Sequence, residues 1–493
     1  MKYVSTRGAA AQGVSSAYAI KTGLASDGGL FVPTQIPTIG EGFINELVPL
    51  SYPERAARIL SLFLTDYTYE ELLADATAAY SPDKFIPEAA PISTLDGGRY
   101  MLELWHGPTS AFKDMALQIM PRLFTRALKK CGEERRALIL VATSGDTGKA
   151  ALEGYRDVEG TAIKVFYPID GVSRVQKLQM QTQLGSNVSV DGIVGNFDDA
   201  QSGVKRIFAD ADIADELSAG GVFLSSANSI NWGRLVPQIV YYVSAYCDMV
   251  SSGAIALGDA IDVCVPTGNF GNIFAGYIAK LMGLPIAQLV CASNSNNVLT
   301  DFLAGGEYDK NRAFHATMSP SMDILISSNL ERLLYTVIGT KKTAEYMDQL
   351  NTVGNYALTA DEFAGIRDSF CGYFTDEAGT AKTIKSIYEE AGCLIDTHTA
   401  VAVSAAERYM REDKAGRRML VVSTASPYKF ARDVYASLTG KAPSGDIEAL
   451  AELCELTSVP VPAPLAGIGE RTVIHDRVID RSDMADAVTD FAL

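Results

Sequence analysis

From about residue 99 onward, short β-branched or apolar runs alternate with segments whose apolar residues recur at every third or fourth position. The second pattern is typical of an amphipathic helix, with its period of about 3.6 residues, and the first is typical of a buried strand. Strands that alternate with helices form βαβ units and a mostly parallel sheet. The alternation therefore predicts an α/β fold, in which ligands bind beyond the carboxyl ends of the strands.

The predicted strands are apolar runs bounded by turn residues, at 137–142, 162–168, 188–194, 222–227, 260–266, 286–293 and 419–423. The predicted helices lie between them, at 173–184, 197–210, 232–250 and 273–284. Two earlier helical segments, 41–51 and 53–64, lack strand alternation, so residues 1–95 are expected to form a small accessory domain. Residues 96–440 then form the core, and residues 441–493 form a C-terminal extension.

Composition excludes several classes of protein and of site. The net charge of −17 repels a phosphate backbone, so no nucleic acid partner is expected. The seven cysteines show no C-x-x-C pair, and no two of the four histidines are four positions apart, so no metal site is predicted. Because neither a secretory leader nor a run of about 18 apolar residues is found, a soluble cytoplasmic protein without a membrane partner is expected.

The segment HGPTSAFKDMALQ places Lys113 after a Gly-Pro turn, at the start of a helical run and beside Phe112 and Met115. Desolvation and the positive end of a helix both lower the pKa of an amine, which makes it a better nucleophile toward a carbonyl group. A surface lysine whose aliphatic stem packs on apolar neighbours gives the same pattern. This segment alone leaves both interpretations open.

The segment VATSGDTGKAA follows one predicted strand and opens a helix with hydroxyls and backbone donors, a pattern typical of an anion site. It differs from a P-loop at Thr143, where the first glycine belongs, and at Ala150, where a hydroxyl belongs. A nucleotide triphosphatase is therefore a minor interpretation. A capped strand-to-helix turn without a ligand fits as well.

Two further segments each follow a predicted strand. In VPTGNFGNIFAGY, Gly268 and Gly271 allow the backbone to approach a ligand, and successive N–H groups can bind a phosphate. In VVSTASPYKF the strand ends in Ser423, Thr424 and Ser426, and a hydroxyl there can donate to an aromatic ring nitrogen. Alone, each segment is also compatible with an ordinary turn.

In this order the four segments resemble those of the pyridoxal-phosphate enzymes with the tryptophan synthase β-like fold, and specifically the threonine synthases. HGPTSAFKD is similar to the family's motif around its Schiff-base lysine, TSGDTG to its substrate loop, GNFGN to its phosphate loop and STASPYKF to its ring-nitrogen segment. STRG, GLASDGGLFVP, GNFDDAQ and NSINWGRLVPQ extend the likeness to nearly the whole chain up to about residue 440. The resemblance implies two interlocked three-layer α/β lobes with mostly parallel sheets, plus a small N-terminal domain.

The resemblance also implies roles for the site residues. Lys113 would bind pyridoxal 5'-phosphate covalently and move protons between substrate carbons, and Thr424 would face the pyridine nitrogen. Ser144 and Thr147 suit the carboxylate of the substrate. The cofactor phosphate would bind to the backbone N–H groups of Gly268, Asn269, Phe270, Gly271 and Asn272. The candidates for the substrate's phosphate are Asn231 and Arg234, of which Arg234 suits a structural role equally.

Asp146 departs from the pattern of the wider fold. It stands where related members place an asparagine against the 3-hydroxyl of the cofactor. A carboxylate beside a phenolate oxygen is repelled unless one of the two is protonated. The contact of Asp146 with the cofactor therefore stays open.

The implied reaction converts O-phospho-L-homoserine and water to L-threonine and phosphate by γ-elimination and β-addition, in a monomer or homodimer. Two alternatives stay open. One is another pyridoxal-phosphate lyase on the same scaffold, such as a serine or threonine dehydratase or a phospho-amino-acid lyase, although GNFDDAQ and NSINWGRLVPQ favour the threonine synthases. The other is a non-catalytic phosphate- or nucleotide-binding module, which the missing P-loop hydroxyl disfavours.

Overall fold

A computed structural model describes residues 1–170, 172–413 and 415–493. The strands of these residues are β1 (Tyr3–Ser5), β2 (Phe31–Pro33), β3 (Ile92–Asp96), β4 (Arg99–Glu103), β5 (Arg136–Ala142), β6 (Thr161–Pro168), β7 (Val188–Val194), β8 (Val222–Ser225), β9 (Ile261–Pro266), β10 (Ile286–Ser293), β11 (Glu307–Asp309), β12 (Asn355–Ala357), β13 (Phe370–Phe374), β14 (Arg418–Ser423) and β15 (Val478–Asp480).

The α-helices lie between the strands, and several of them start at serine, threonine, aspartate or asparagine caps. They are α1 (Ser16–Thr22), α2 (Glu41–Leu47), α3 (Tyr52–Phe63), α4 (Tyr69–Ala79), α5 (Asp114–Leu117), α6 (Met120–Lys130), α7 (Asp146–Tyr155), α8 (Arg174–Gln181), α9 (Phe197–Ala209), α10 (Ala211–Ala219), α11 (Trp232–Ser251), α12 (Gly271–Met282), α13 (Val298–Gly305), α14 (Leu330–Thr352), α15 (Ala360–Arg367), α16 (Glu377–Ala391), α17 (Thr397–Glu412), α18 (Ala431–Thr439), α19 (Glu448–Thr457) and α20 (Met484–Ala492). Inside α14, Gly339 has a non-helical backbone with φ of 75°.

Two mostly parallel sheets organise the fold. One has the strand order β13-β10-β9-β14-β4-β3, in which only the edge strand β3 is antiparallel to its neighbour. The other has the order β15-β7-β6-β5-β8 and is parallel throughout. The predicted α/β class and all seven predicted strands are confirmed, although β8 ends two residues earlier than expected.

Alternating side chains along the strands build three apolar layers. In β14, Leu420 and Val422 join the central core, whereas Met419 and Val421 face a second core that includes Val401 of α17. The strands of the other sheet divide in the same way, between the central core and a third core beneath α9 and α20. Because successive side chains of a strand point to opposite faces, both sheets are covered on two sides.

Several strands of the structure were not predicted from the sequence. The antiparallel pair β1 and β2 gives the N-terminal region a small sheet of its own, where only helices were expected. Three-residue strands are too short to show alternation. Likewise β15 pairs with β7, so residues after 440 close the second sheet. The boundaries near residues 95 and 440 stay a proposal about domain organisation.

Within the part of the chain that the structure describes, no helix has the length and apolar character needed to cross a membrane.

Candidate active site

The four segments that the sequence singled out meet at the carboxyl ends of strands. In the six-stranded sheet β14 lies between β4 and β9, and all three are parallel. The loops that follow them, residues 104–113, 424–426 and 267–270, therefore emerge at one edge. The fourth segment follows β5 of the other sheet and begins α7, and its Asp146 lies beside Lys113.

The backbone of the lysine segment is fixed to the segment after β14. The Phe112 N–H donates to the Thr424 carbonyl oxygen at 2.8 Å, and the Ser426 N–H donates to that of Ser110 at 3.0 Å. Ser110 has φ of 59°, a left-handed conformation that costs free energy in a residue with a side chain. These contacts hold Thr424, which is buried, directly against the residue before Lys113.

Lys113 precedes α5, and its side chain points into the protein with 9% of its surface exposed. Its Nζ lies 3.5 Å from Ser321 Oγ and 3.7 Å from an oxygen of Asp146. Burial lowers the pKa of Lys113 to about 8, although the Asp146 carboxylate opposes this by raising it. A substantial fraction of the amine is therefore neutral near pH 8, as a nucleophile requires.

Asp146 is held by a second buried lysine, Lys429, whose Nζ lies 2.9 Å from Oδ1. Gln176 donates to the same oxygen at 2.8 Å. Burial alone raises the pKa of Asp146, but the charges of Lys429 and Lys113 outweigh burial and hold the pKa well below its usual range. The carboxylate is thus ionised, and two cations compensate its charge. They reduce the repulsion that an isolated carboxylate would exert on a phenolate oxygen.

The turn before α7 has a defined local cause. Thr143 Oγ1 accepts hydrogen bonds from the N–H groups of Gly145 and Gly148, at 2.9 and 2.8 Å. Gly145 has φ of 135°, and a Cβ there would lie 2.6 Å from the Gln176 side chain. Only glycine fits this position, which brings Asp146 to the site. Ser144 and Thr147 flank it with partly exposed side chains.

The loop 268–272 has the features of a phosphate cradle. Among the described residues, none of its five backbone N–H groups has a hydrogen-bond acceptor. A Cβ at Gly268 would lie 2.6 Å from the Ser321 carbonyl oxygen, so Ser321 touches both this loop and Lys113. Asn272 Oδ1 accepts from Tyr241 and Tyr242, while its buried Nδ2 finds no partner in the described part of the chain. Unpaired donors at a helix N-terminus suit an anion.

Arg234 and Asn231 differ in how their side chains are used. Arg234 is buried and donates to the Ala227 carbonyl oxygen at 2.8 Å, and no carboxylate of the described residues lies within 4.0 Å of it. Burial lowers its pKa to about 10, so the guanidinium is still charged at neutral pH. Asn231 instead caps α11 and donates to the Ile20 carbonyl oxygen at 2.9 Å. Its assignment to a phosphate stays a prediction.

The neighbours of Lys113 and Asp146 that were not predicted from the sequence include Lys429 and Ser321. Lys429 lies inside the quoted segment STASPYKF, where a lysine among apolar residues is a signal that could have been used. Ser321 lies in a short 3₁₀-helix, Pro320–Met322, without any recognisable motif. Its N–H donates to His398 Nε2 at 3.1 Å, and His398 Nδ1 lies 2.9 Å from Asp396. These contacts join distant parts of the chain and leave no local pattern.

Family models match three parts of the chain. The model described as "Threonine synthase N terminus" matches residues 2–80, "Pyridoxal-phosphate dependent enzyme" matches 99–425, and "Threonine synthase, C-terminal" matches 399–480.

Individual proteins that are similar to this chain come from the same family. Threonine synthase from Pseudomonas aeruginosa is 40% identical over 90% of this chain and 92% of its own length. Human threonine synthase-like 1 is 41% identical over 85% of this chain, which spans 57% of that longer protein. The crystal structure of threonine synthase from Brucella melitensis with bound pyridoxal phosphate superimposes with a TM-score of 0.88, at 37% identity, over 100% of this chain and 99% of that one.

Proposed function

The chain belongs to the threonine synthase family of pyridoxal-phosphate-dependent enzymes, and from this premise we propose that its buried cleft converts O-phospho-L-homoserine and water to L-threonine and phosphate. It is a lyase that uses pyridoxal 5'-phosphate. The observation that carries the proposal is a buried amine of lowered pKa together with two separate sets of donors, namely the N–H groups of residues 268–272 and the guanidinium of Arg234, that lack an anionic partner among the described residues. The first set suits the phosphate of the cofactor, and the second suits the phosphate of the substrate.

The residues present fit the cofactor. Lys113 is an amine that is neutral in part near pH 8, and the free N–H groups of residues 268–272 offer donors to a phosphate. When bound, pyridoxal 5'-phosphate supplies an aldehyde for the amine and a ring that takes up electrons from the substrate. Thr424 lies at a strand end where its hydroxyl can face the ring nitrogen.

The chain's own residues then account for orientation and proton transfer. Lys113 Nζ takes and returns protons, because its pKa lies close to the working pH. Ser144 and Thr147, at the N-terminus of α7, orient the substrate carboxylate. The cation of Arg234 binds the substrate phosphate and stabilises it as it leaves. Burial of Lys113 and Asp146 limits the access of water until the substrate is aligned.

Phosphate release tests the function, when it is combined with analysis of the amino-acid product. Purified enzyme that contains pyridoxal 5'-phosphate should release one phosphate for each threonine formed from O-phospho-L-homoserine. A dehydratase or another lyase on this scaffold would yield an oxo acid and ammonia instead. Phosphate release without threonine would contradict the proposal.

The pKa of Lys113 predicts the pH dependence of cofactor uptake. A neutral amine reacts with the aldehyde, so the uptake rate of the cofactor-free enzyme should rise with pH through about 8 and then level off. Asp146→Asn removes a charge that raises this pKa, so the midpoint should move below 8. Stopped-flow absorbance of cofactor uptake across pH 6–10 measures both midpoints. A midpoint near the ordinary lysine value of about 10.4 would contradict the prediction.

Arg234→Ala should weaken binding of the phosphorylated substrate more than binding of the cofactor. Loss of a charged hydrogen-bond donor of about 1.5–3 kcal/mol corresponds to a KM roughly 10 to 150 times higher. Steady-state kinetics gives the KM, and a fluorescence titration gives the dissociation constant of the cofactor. Arg234→Lys, which keeps the charge, serves as the control and should recover part of the affinity. Equal losses for substrate and cofactor would indicate a structural role.

A further inference from the structure

The loop 268–272 is held from outside by residues 327–329, which directly precede α14. Ser327 Oγ donates to the Gly268 carbonyl oxygen at 2.7 Å. The N–H and the Nδ2 of Asn329 both donate to the Asn269 carbonyl oxygen, at 3.1 and 2.9 Å. The C=O and N–H of a trans peptide unit point in opposite directions. By fixing these two carbonyl oxygens, Ser327 and Asn329 turn the N–H groups of Asn269 and Phe270 away from themselves.

Asn329 is in turn oriented by Arg332, whose Nη1 donates to Asn329 Oδ1. An asparagine amide can point either way, and this contact selects the orientation that leaves Nδ2 free to donate to the loop. Arg332 is fully buried. Its other N–H groups donate to carbonyl oxygens at 2.5 Å for Ile230, 3.1 Å for Phe31 and 3.4 Å for Ser229.

No carboxylate of the described residues lies within 4.0 Å of the Arg332 guanidinium. Burial lowers its pKa to about 9, and the neighbouring Glu331 opposes this only in part. A buried cation without an ion-pair partner is costly. Such a group is expected where its rigid fork of donors fixes several acceptors at once.

Arg332 and the neighbouring Glu331 both contact the N-terminal region of the chain. Arg332 Nε donates to Phe31 in β2, and Glu331 accepts from Arg7 at 2.7 and 2.9 Å. Thr6 also donates to Glu331, at 2.5 Å. The N-terminal sheet is thus linked to the loop through Arg332 and Asn329.

We propose that Arg332 is a positioning residue that, through Asn329, fixes the 268–272 loop in the orientation that binds the cofactor phosphate. The proposal rests on the proposed function, because it assigns that loop to the phosphate of pyridoxal 5'-phosphate. Arg332 does not touch the amine of Lys113. It acts on affinity for the phosphate and not on the aldehyde chemistry.

Binding of two aldehydes to the cofactor-free, full-length chain tests this role. Pyridoxal 5'-phosphate carries the phosphate, whereas pyridoxal lacks it. In Arg332→Gln and in Asn329→Ala, the dissociation constant of pyridoxal 5'-phosphate should rise about tenfold or more, while that of pyridoxal should change less than about twofold. The double variant should lose little more than either single variant, because the two side chains act in one chain of contacts.

Arg55→Gln is the control for loss of a buried arginine, since Arg55 donates to the Leu47 and Val48 carbonyl oxygens, away from the loop; unlike Arg332, it also pairs with Asp248 at 2.6 Å. It should lower stability without changing the preference for the phosphorylated aldehyde. If the wild-type chain itself does not prefer pyridoxal 5'-phosphate, the assignment of the loop fails and with it the proposed function. If the wild type prefers it and neither variant selectively weakens it, the role of Arg332 is overturned.

Discussion

Lys113→Ala is expected to purify without a lysine-linked chromophore and to lose turnover by roughly a thousandfold or more. The amine is buried, and burial brings its pKa to about 8. The substitution removes the attachment point and the proton carrier together, which is why the loss should exceed that of any other single variant. Borohydride reduction followed by peptide mass mapping detects the linkage, and phosphate release measures turnover.

Two control variants show whether the chromophore depends on the Lys113 amine itself, rather than on a positive charge at this position or on buried lysines in general. Lys113→Arg keeps a cation that does not lose its proton near neutral pH, so it should lack the chromophore as Lys113→Ala does. Lys149→Met removes another buried lysine, which pairs with Glu153 at 3.0 Å, and should keep the chromophore. Reduced cofactor attached to Lys149 or Lys429 in the wild-type protein would overturn the assignment.

The central part of the fold could be predicted because its strands are buried on both faces and read as continuous apolar runs. Three of the four site segments directly follow such a strand, namely β5, β9 or β14, whereas the lysine segment follows β4, which was not predicted. The segments after β4, β9 and β14 converge because these strands are parallel members of one sheet. Strands that escaped prediction are short or interrupted. Val478–Asp480 has three residues, and Phe370–Phe374 contains a glycine. Their pairing is set by tertiary contacts and not by local pattern.

The site was predictable only where a motif marks it. Asp146 and Lys429 follow β5 and β14, which belong to different sheets, and no spacing along the chain indicates that these two segments meet. Asn231 illustrates the opposite case, in which a motif draws attention to a residue whose side chain has a structural use. Its position before Trp232 is also typical of a helix cap, and the side chain is engaged in that way.

The pair of Lys429 and Asp146 gives the second large expected effect. Lys429→Met should lower the free energy of unfolding by about 3–5 kcal/mol, because it removes the closer of the two cations that compensate a buried carboxylate. It should also move the pH midpoint of cofactor uptake above 8, since the charge of Lys429 lowers the pKa of Lys113. Urea unfolding and the stopped-flow assay measure the two effects separately.

Lys164 offers a matched control, because it forms an equally buried pair with Asp191, at 2.8 Å, in the other sheet and away from Lys113. Lys164→Met should cost a similar free energy of unfolding and leave the midpoint of cofactor uptake near 8. The double variant Asp146→Asn with Lys429→Met should regain part of the lost stability, since it removes the buried carboxylate that Lys429→Met alone leaves without its closest cation. If Lys429→Met and Lys164→Met have the same effect on both measurements, Lys429 stabilises the fold alone and does not tune the reactive amine.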